Sequence, residues 1–219
     1  MKLSAKIFFD LERRLIDAGL DSDRTTFSEI KKTLQSPRNI GMDDFAHEVI
    51  YVILASGFSQ KTAKKIYHDV INFLGTRNQE PATSDMLFPI FKNQNKIKAI
   101  ADVWNNRQKY RDEYYTLTNS ESRILYLESL PHIGKITAHH LARNLGEDIV
   151  KYDIWIQRLA VAWSGKDVAD KINNQKLSPE IKIICDEMFD CLVAETGLPR
   201  GYIDVVLWKG AQNKMIEGL

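Results

Sequence analysis

Several features that would settle a class by composition alone are missing from this sequence. It has only two cysteines in 219 residues, Cys185 and Cys191, and two thiols cannot complete a four-thiolate cluster. No signal-peptide pattern opens it and no apolar run is long enough to cross a bilayer, so no membrane partner is expected and a reducing, cytoplasmic setting fits best. Net charge is also nearly absent, at +1; any nucleic-acid role must therefore rest on a local patch. No apolar/polar alternation bounded by turn signals occurs, which removes the need for a sheet. No internal repeat emerges either.

What is present reads as an all-α globular protein. Hydrophobic residues make up 44% and charged residues 27%, ordinary proportions for a soluble chain. The length allows one domain with a substantial core or two small lobes. Ile7, Phe8, Leu11, Leu15 and Ile16 give the first helix an apolar side, and a second helix is expected from Thr26 to Leu34. Ser36-Pro37 and Gly41 mark a break. From Asp43, the residues Phe45, Val49, Ile50, Tyr51, Val52 and Ile53 make a helix apolar on nearly all sides, which predicts a central, buried position. Ser56 to Gln60 interrupt it. Further helices are expected through Ala63–Leu74, around 84–91, and from Ile97. After Asp153 come three more, the last two being 179–195 and 199–216. The densest basic region, Lys92, Lys96 and Lys98 with Arg107, Lys109 and Arg111, suits either a solvated helix face or a nucleic-acid patch.

The most informative stretch is 121–158. Ile124, Leu125 and Leu127 give a short helix an apolar side, Thr118 with Glu121 is similar to a capping box, and Pro131 stops the helix. Beyond the turn Leu130-Pro131-His132-Ile133-Gly134, a second helix carries Ala138, Leu141, Ala142 and Leu145 at i, i+3, i+4, i+7 spacing, with Gly146 as its stop. Amides just after Gly134 sit at a helix N-terminus, where a phosphate is well held. Nineteen residues beyond Gly134, at the start of the next apolar helix, stands Asp153, followed by Arg158.

This string, from Leu130 to Ala138 with Asp153 behind it, resembles the helix-hairpin-helix DNA glycosylase superfamily, of the endonuclease III-like and alkylpurine glycosylase-like kind. The resemblance implies a two-lobed all-α fold: residues 41–150 as one helical lobe ending in the motif at 121–146, residues 1–40 plus 151–219 as the other, and a cleft between them. It implies a monomeric base-excision repair enzyme acting on double-stranded DNA with a damaged or mispaired base, nucleoid-associated in a prokaryote. Asp153 would be the catalytic carboxylate that stabilises positive charge on the deoxyribose and orients water; as a plain helix N-cap, Asp is equally the expected residue. His132, Gly134, Lys135, Ile136 and Thr137 would hold the DNA backbone, and Phe58 or Gln60 would fill the gap left by an extruded base. Tyr51, Trp104 and Trp155 are candidates for the base pocket, with Phe58 and Trp208 beside them, although aromatics of this kind are more often core. Main-chain carbonyls of Glu128, Leu130 and Ile133 would take a potassium, sodium or alkaline-earth ion. No cofactor is required, and the iron–sulfur loop of endonuclease III-like relatives is expected to be absent.

Relatives that also cut the backbone carry a lysine two residues past the hairpin's last glycine. Here that position is Ile136, with Lys135 one residue earlier. The departure predicts a monofunctional glycosylase without lyase activity, with alkylated purine as the expected lesion. The alternatives are an oxidised-base (8-oxoguanine) glycosylase/lyase, a thymine or adenine mismatch glycosylase, or a non-catalytic hairpin protein that only grips phosphates.

Overall fold

The computed structural model describes residues 3–22, 24–36, 39–76, 80–173 and 176–216. Among the described residues the chain is helical, without strands; one isolated bridge joins Ser22 and Thr26. The helices are α1 (Ala5–Asp17), α2 (Phe27–Gln35), α3 (Met42–Ala55), α4 (Gln60–Gly75), α5 (Ser84–Leu87), α6 (Gln94–Asn105), α7 (Arg107–Thr116), α8 (Ser120–Glu128), α9 (Lys135–Asn144), α10 (Ile154–Ser164), α11 (Pro179–Thr196) and α12 (Arg200–Gln212). Among the described residues, no helix is long and apolar enough to cross a membrane. The chain forms two compact units, Met1–Pro37 with Gly146–Leu219, and Arg38–Leu145.

The Arg38–Leu145 unit is built around α3. Asp43 and Asp44 in its first turn complement the helix dipole, and every residue from Val49 to Leu54 is buried. Val49, Val52 and Ile53 are mediocre helix formers, so packing rather than propensity holds them there. Helices α4, α6, α7 and α9 all lie against α3. Gly57, at φ +80°, allows the chain to turn sharply after it. Helix α8 starts one residue later than the Thr118–Glu121 pattern implies. Its cap is Asn119, whose side chain accepts from the Ser122 amide at 2.8 Å, because asparagine caps at least as well as threonine.

The other unit packs α1, α2, α10 and α11 around α12. Its core includes Phe8, Leu15, Leu159, Ile184, Phe189, Ile203 and Val206. Gly210 lets Leu11 of α1 pack closely on α12, since a Cβ there would lie 2.7 Å from a Leu11 methyl. Residues 146–150 belong with this unit because the segment is bonded to α12 at both ends. Asp148 accepts from the Gly201 amide at 2.8 Å and Asp204 from the Lys151 amide at 3.3 Å.

Since α3 carries the core of its unit, Ile53→Ala is expected to destabilise the chain by about 2–5 kcal/mol. Urea unfolding followed by circular dichroism checks this; a loss under about 0.5 kcal/mol would remove α3 from its central role.

Candidate functional site

The hairpin joins α8 to α9 through a turn fixed mainly by backbone bonds. The Leu130 amide donates to Leu127 and the Ile133 amide to the Leu130 carbonyl, both at 3.1 Å, while Leu130 and Ile133 anchor the turn in the core. His132 stands between them at φ +62°, a left-handed conformation that costs a non-glycine residue about 1 kcal/mol. The Thr137 hydroxyl is engaged within the turn: it accepts from the Gly134 amide at 2.8 Å and donates to the Gly134 carbonyl at 2.9 Å. The amides of Lys135, Ile136 and Thr137 open α9 and have no acceptor inside the helix. With exposed Gly134 and Lys135 beside them, they form a donor cluster suited to a phosphate. The Leu130 carbonyl, already bonded to Ile133, retains one lone pair for an ion.

A second feature of this unit sits at the turn after α3. Phe58 is 39% exposed and meets Phe91 edge-on at 5.8 Å. Lys96, only 5% exposed, reaches under it from α6: its Nζ lies 4.6 Å from the Phe58 ring centre and donates to the carbonyls of Leu54 and Ser56. The lysine thus caps the C-terminal end of α3 and props the exposed ring. Burial pulls its pKa down to about 8. Burial, with Lys96 nearby, likewise lowers that of His132. The side chain of Gln60 lies outside the described residues.

Asp153 belongs to the other unit and caps α10. Its Oδ1 accepts from the amides of Trp155 at 3.0 Å and Ile156 at 3.2 Å. Its Oδ2 lies 3.5 Å from the Lys151 Nζ. The residue is 7% exposed, so the capping oxygen has a structural task and the second oxygen faces an ammonium in a sheltered place. The Asp153 amide donates to the Lys151 carbonyl at 2.7 Å, folding 151–153 into a three-residue turn. Tyr152 points the other way and donates from its hydroxyl to Asp186 at 2.6 Å; burial, then Asp186, pushes its pKa up. Gln157, fully buried, donates to the carbonyls of Tyr152 and Asn173, at 2.8 and 2.9 Å, and accepts from the Asn173 amide at 3.1 Å. Cys185 lies deep in the same core, where burial raises its thiol pKa to about 12 and leaves it inert.

Two of the proposed base-pocket rings are core residues here. Tyr51 packs edge-on against Tyr67 at 5.6 Å and His140 at 6.3 Å. Trp104 stacks with His47 at 6.0 Å and has the Arg107 guanidinium 4.4 Å from its ring centre. Both are buried on nearly every side, as suits rings on the inward faces of α3 and α6, and neither offers a free face to a base. Trp155, partly buried, stands two residues after Asp153 and lies under Arg158 at 5.5 Å. Trp208 is partly buried too, with the Lys151 Nζ 5.7 Å from its ring. Among the described residues, no three His, Cys, Asp or Glu side chains are grouped to hold a metal ion.

Residue-level reading of the sequence missed Lys151, Asp148 and Asp204, and it took Lys96 only as part of a basic helix face or nucleic-acid patch, whereas the side chain is buried. One signal was available: in an extended segment, residues two apart share a side, so Lys151-Tyr152-Asp153 already placed the amine beside the acid. Nothing local marks Lys96 or Asp204, whose partners are distant in the chain.

Two outcomes follow from this geometry. His132→Gly is expected to hold or raise the thermal unfolding midpoint, and His132→Val to lower stability by about 1–3 kcal/mol; equal midpoints for the two would remove the strain. The folded chain sheds the Lys96 proton near pH 8 and the unfolded chain near 10.5. More protons are then bound to the unfolded state between those values, so stability rises with pH through that window. Urea titrations across it should show this rise in the native chain and its absence in Lys96→Met.

No family model and no curated protein matches the sequence. Solved structures do. The 8-oxoguanine DNA glycosylase of Methanocaldococcus jannaschii superposes with a TM-score of 0.66 at 19% identity, over 93% of this chain and 91% of that one. The same archaeal glycosylase/lyase, in complex with a 15mer DNA containing 8-oxoguanine, gives 0.67 at 18% identity over 97% and 99%. The 8-oxoguanine DNA glycosylase of Thermotoga maritima gives 0.64 at 17% identity over 98% and 97%. Along almost its whole length, then, the chain has the fold of these 8-oxoguanine DNA glycosylases.

Proposed function

We propose that this chain is a DNA glycosylase of base-excision repair that removes an oxidised purine, 8-oxoguanine, from duplex DNA. The observation that carries the reading is Asp153: a sheltered carboxylate with one oxygen locked by helix amides and the other left to act, in a chain sharing its fold with glycosylases of that substrate. The alkylated-purine expectation finds no such support, whereas the oxidised-base alternative does.

The chemistry follows from charge. As the N-glycosidic bond lengthens, positive charge grows on the deoxyribose, and a carboxylate held beside it lowers the barrier. The Oδ2 atom of Asp153 provides that charge, and it can take a proton from an attacking nucleophile. The hairpin amides of Lys135, Ile136 and Thr137 hold a phosphate, and exposed Phe58 occupies the stack vacated by the extruded base, offsetting part of the cost of flipping it. The carbonyls of Glu128, Leu130 and Ile133 are hard oxygen donors that fit an alkali or alkaline-earth ion, which would add positive charge toward that phosphate.

The test uses the full chain on duplexes carrying a single 8-oxoguanine, 3-methyladenine, uracil or a T:G mismatch, with alkali to reveal abasic sites. Release of 8-oxoguanine ahead of the others is expected. Asp153→Asn should lower its single-turnover rate about 10²–10⁴-fold and leave the unfolding midpoint nearly unchanged, since asparagine caps a helix as well. Undiminished release by the variant would refute the assignment.

A further inference from the structure

We propose that the Lys151 amine is the nucleophile with which this chain attacks C1′ of the deoxyribose, so that Lys151 and Asp153 work as a pair and base removal is coupled to Schiff-base formation. The proposal rests on the glycosylase reading and departs from the monofunctional expectation drawn from Ile136. The hairpin position that would carry an amine holds an aliphatic side chain, and Lys135 is an exposed residue at the start of α9. An amine is nonetheless held against the candidate acid.

Three observations make Lys151 more than a surface charge. Its Nζ lies 3.5 Å from Asp153 Oδ2, and its side chain is 20% exposed, well below that of an ordinary solvated lysine. Its backbone is pinned twice, by the amide bond to the buried Asp204 carboxylate and by the carbonyl bond from Asp153. Its ammonium rests 5.7 Å from the centre of the Trp208 ring, so the flexible stem is guided over an aromatic surface. A sugar that brings C1′ to the free oxygen of Asp153 also brings it within reach of this amine. Nucleophile and proton acceptor then stand side by side, the arrangement covalent catalysis by lysine needs.

The steps balance. Lys151 passes one proton to Asp153, and its lone pair forms the Nζ–C1′ bond as the C1′–N9 bond breaks. The departing purine keeps that electron pair and takes the proton from Asp153. A second proton moves from Nζ to O4′ as the C1′–O4′ bond opens, leaving a protonated imine between Nζ and C1′. The three protons of the original ammonium end on the base, on O4′ and on the imine nitrogen. Loss of the C2′ proton with expulsion of the 3′ phosphate would follow as elimination, without an oxidant or reductant.

The experiment incubates the full chain with two duplexes, one bearing 8-oxoguanine opposite cytosine and one bearing a preformed abasic site, in the presence of sodium borohydride, which reduces the imine to a stable amine. A covalent protein–DNA adduct is expected on both, mapping by mass spectrometry to Lys151. It should fall about tenfold or more in Lys151→Gln and in Lys151→Arg. Arginine keeps the charge beside Asp153 but offers no nucleophile, so a Lys151→Arg chain that keeps the native unfolding midpoint while losing both the cross-link and base release separates the covalent role from a structural one. Undiminished cross-linking by Lys151→Arg, an adduct on Lys135, or base release with no adduct on either duplex each overturns the proposal and leaves the glycosylase reading standing. Absence of base release from every lesion duplex refutes that reading instead, while the abasic-site duplex still decides the role of Lys151.

Discussion

The path of the segment that leads into α10 depends on a buried carboxylate that holds a backbone amide. Asp204, on the innermost helix of its unit, accepts the N–H of Lys151, and Asp148 accepts the N–H of Gly201 from the opposite direction. The irregular segment between α9 and α10 is thereby tied to α12, although it has no helical bonds of its own. A buried polar group costs free energy unless bonded, so these pairings select one path for the loop over its alternatives. Tyr152 then enters the core to meet Asp186, while Lys151 and Asp153 emerge together on the other side. Asp153 is a precise cap because the residues before it cannot wander.

The two units contribute different kinds of group. Around the hairpin, the useful atoms are backbone donors and acceptors whose positions follow from turn geometry: the amides that open α9 and the carbonyls near Leu130. Side-chain identity matters there mainly through the anchors Leu130 and Ile133, which is why an uncomfortable left-handed histidine at 132 can be tolerated. Around Asp153, side chains act and the backbone supports them. Lys96 combines both roles, bonding the last carbonyls of α3 while its charge meets the face of Phe58. An exposed aromatic held from beneath by a buried cation is already ordered, so less entropy is lost when a partner stacks on it.

Much of this was legible in the sequence, for identifiable reasons. Helical periodicity gave the all-α class, and the mostly apolar run from Phe45 to Ile53 correctly implied a helix buried on nearly all sides along that stretch. The hairpin was legible because a turn with Pro131 and Gly134 between two apolar stripes leaves the chain few other paths. Local signals failed where two explanations share one residue type. Tyr51 and Trp104 could have been pocket walls or core, and packing made them core. The cap of α8 fell on Asn119 rather than Thr118 because adjacent residues there cap comparably. Lys96, Asp148 and Asp204 act through partners about 40 to 50 residues away, and single-sequence periodicity carries no information at that range.

The sheltering of Asp153 bears on how a single carboxylate could cap a helix and, in the proposed reaction, also act as the catalyst. A helix cap needs one oxygen, and Oδ1 meets that need with two amides. Those amides carry the positive end of the α10 dipole, and Lys151 places a full positive charge beside the other oxygen. A carboxylate in a place with little water would act on a developing cation through a medium of lower effective dielectric, where the same separation gives a larger interaction than at an open surface. The arrangement leaves a residual conflict, because the ammonium beside Asp153 also opposes the positive charge that would grow on the sugar. In the proposed step the ammonium gives up one proton before its nitrogen bonds C1′, so the charge that returns to nitrogen in the imine is the one that leaves the sugar. Ion pair and covalent step would then be two stages of one contact.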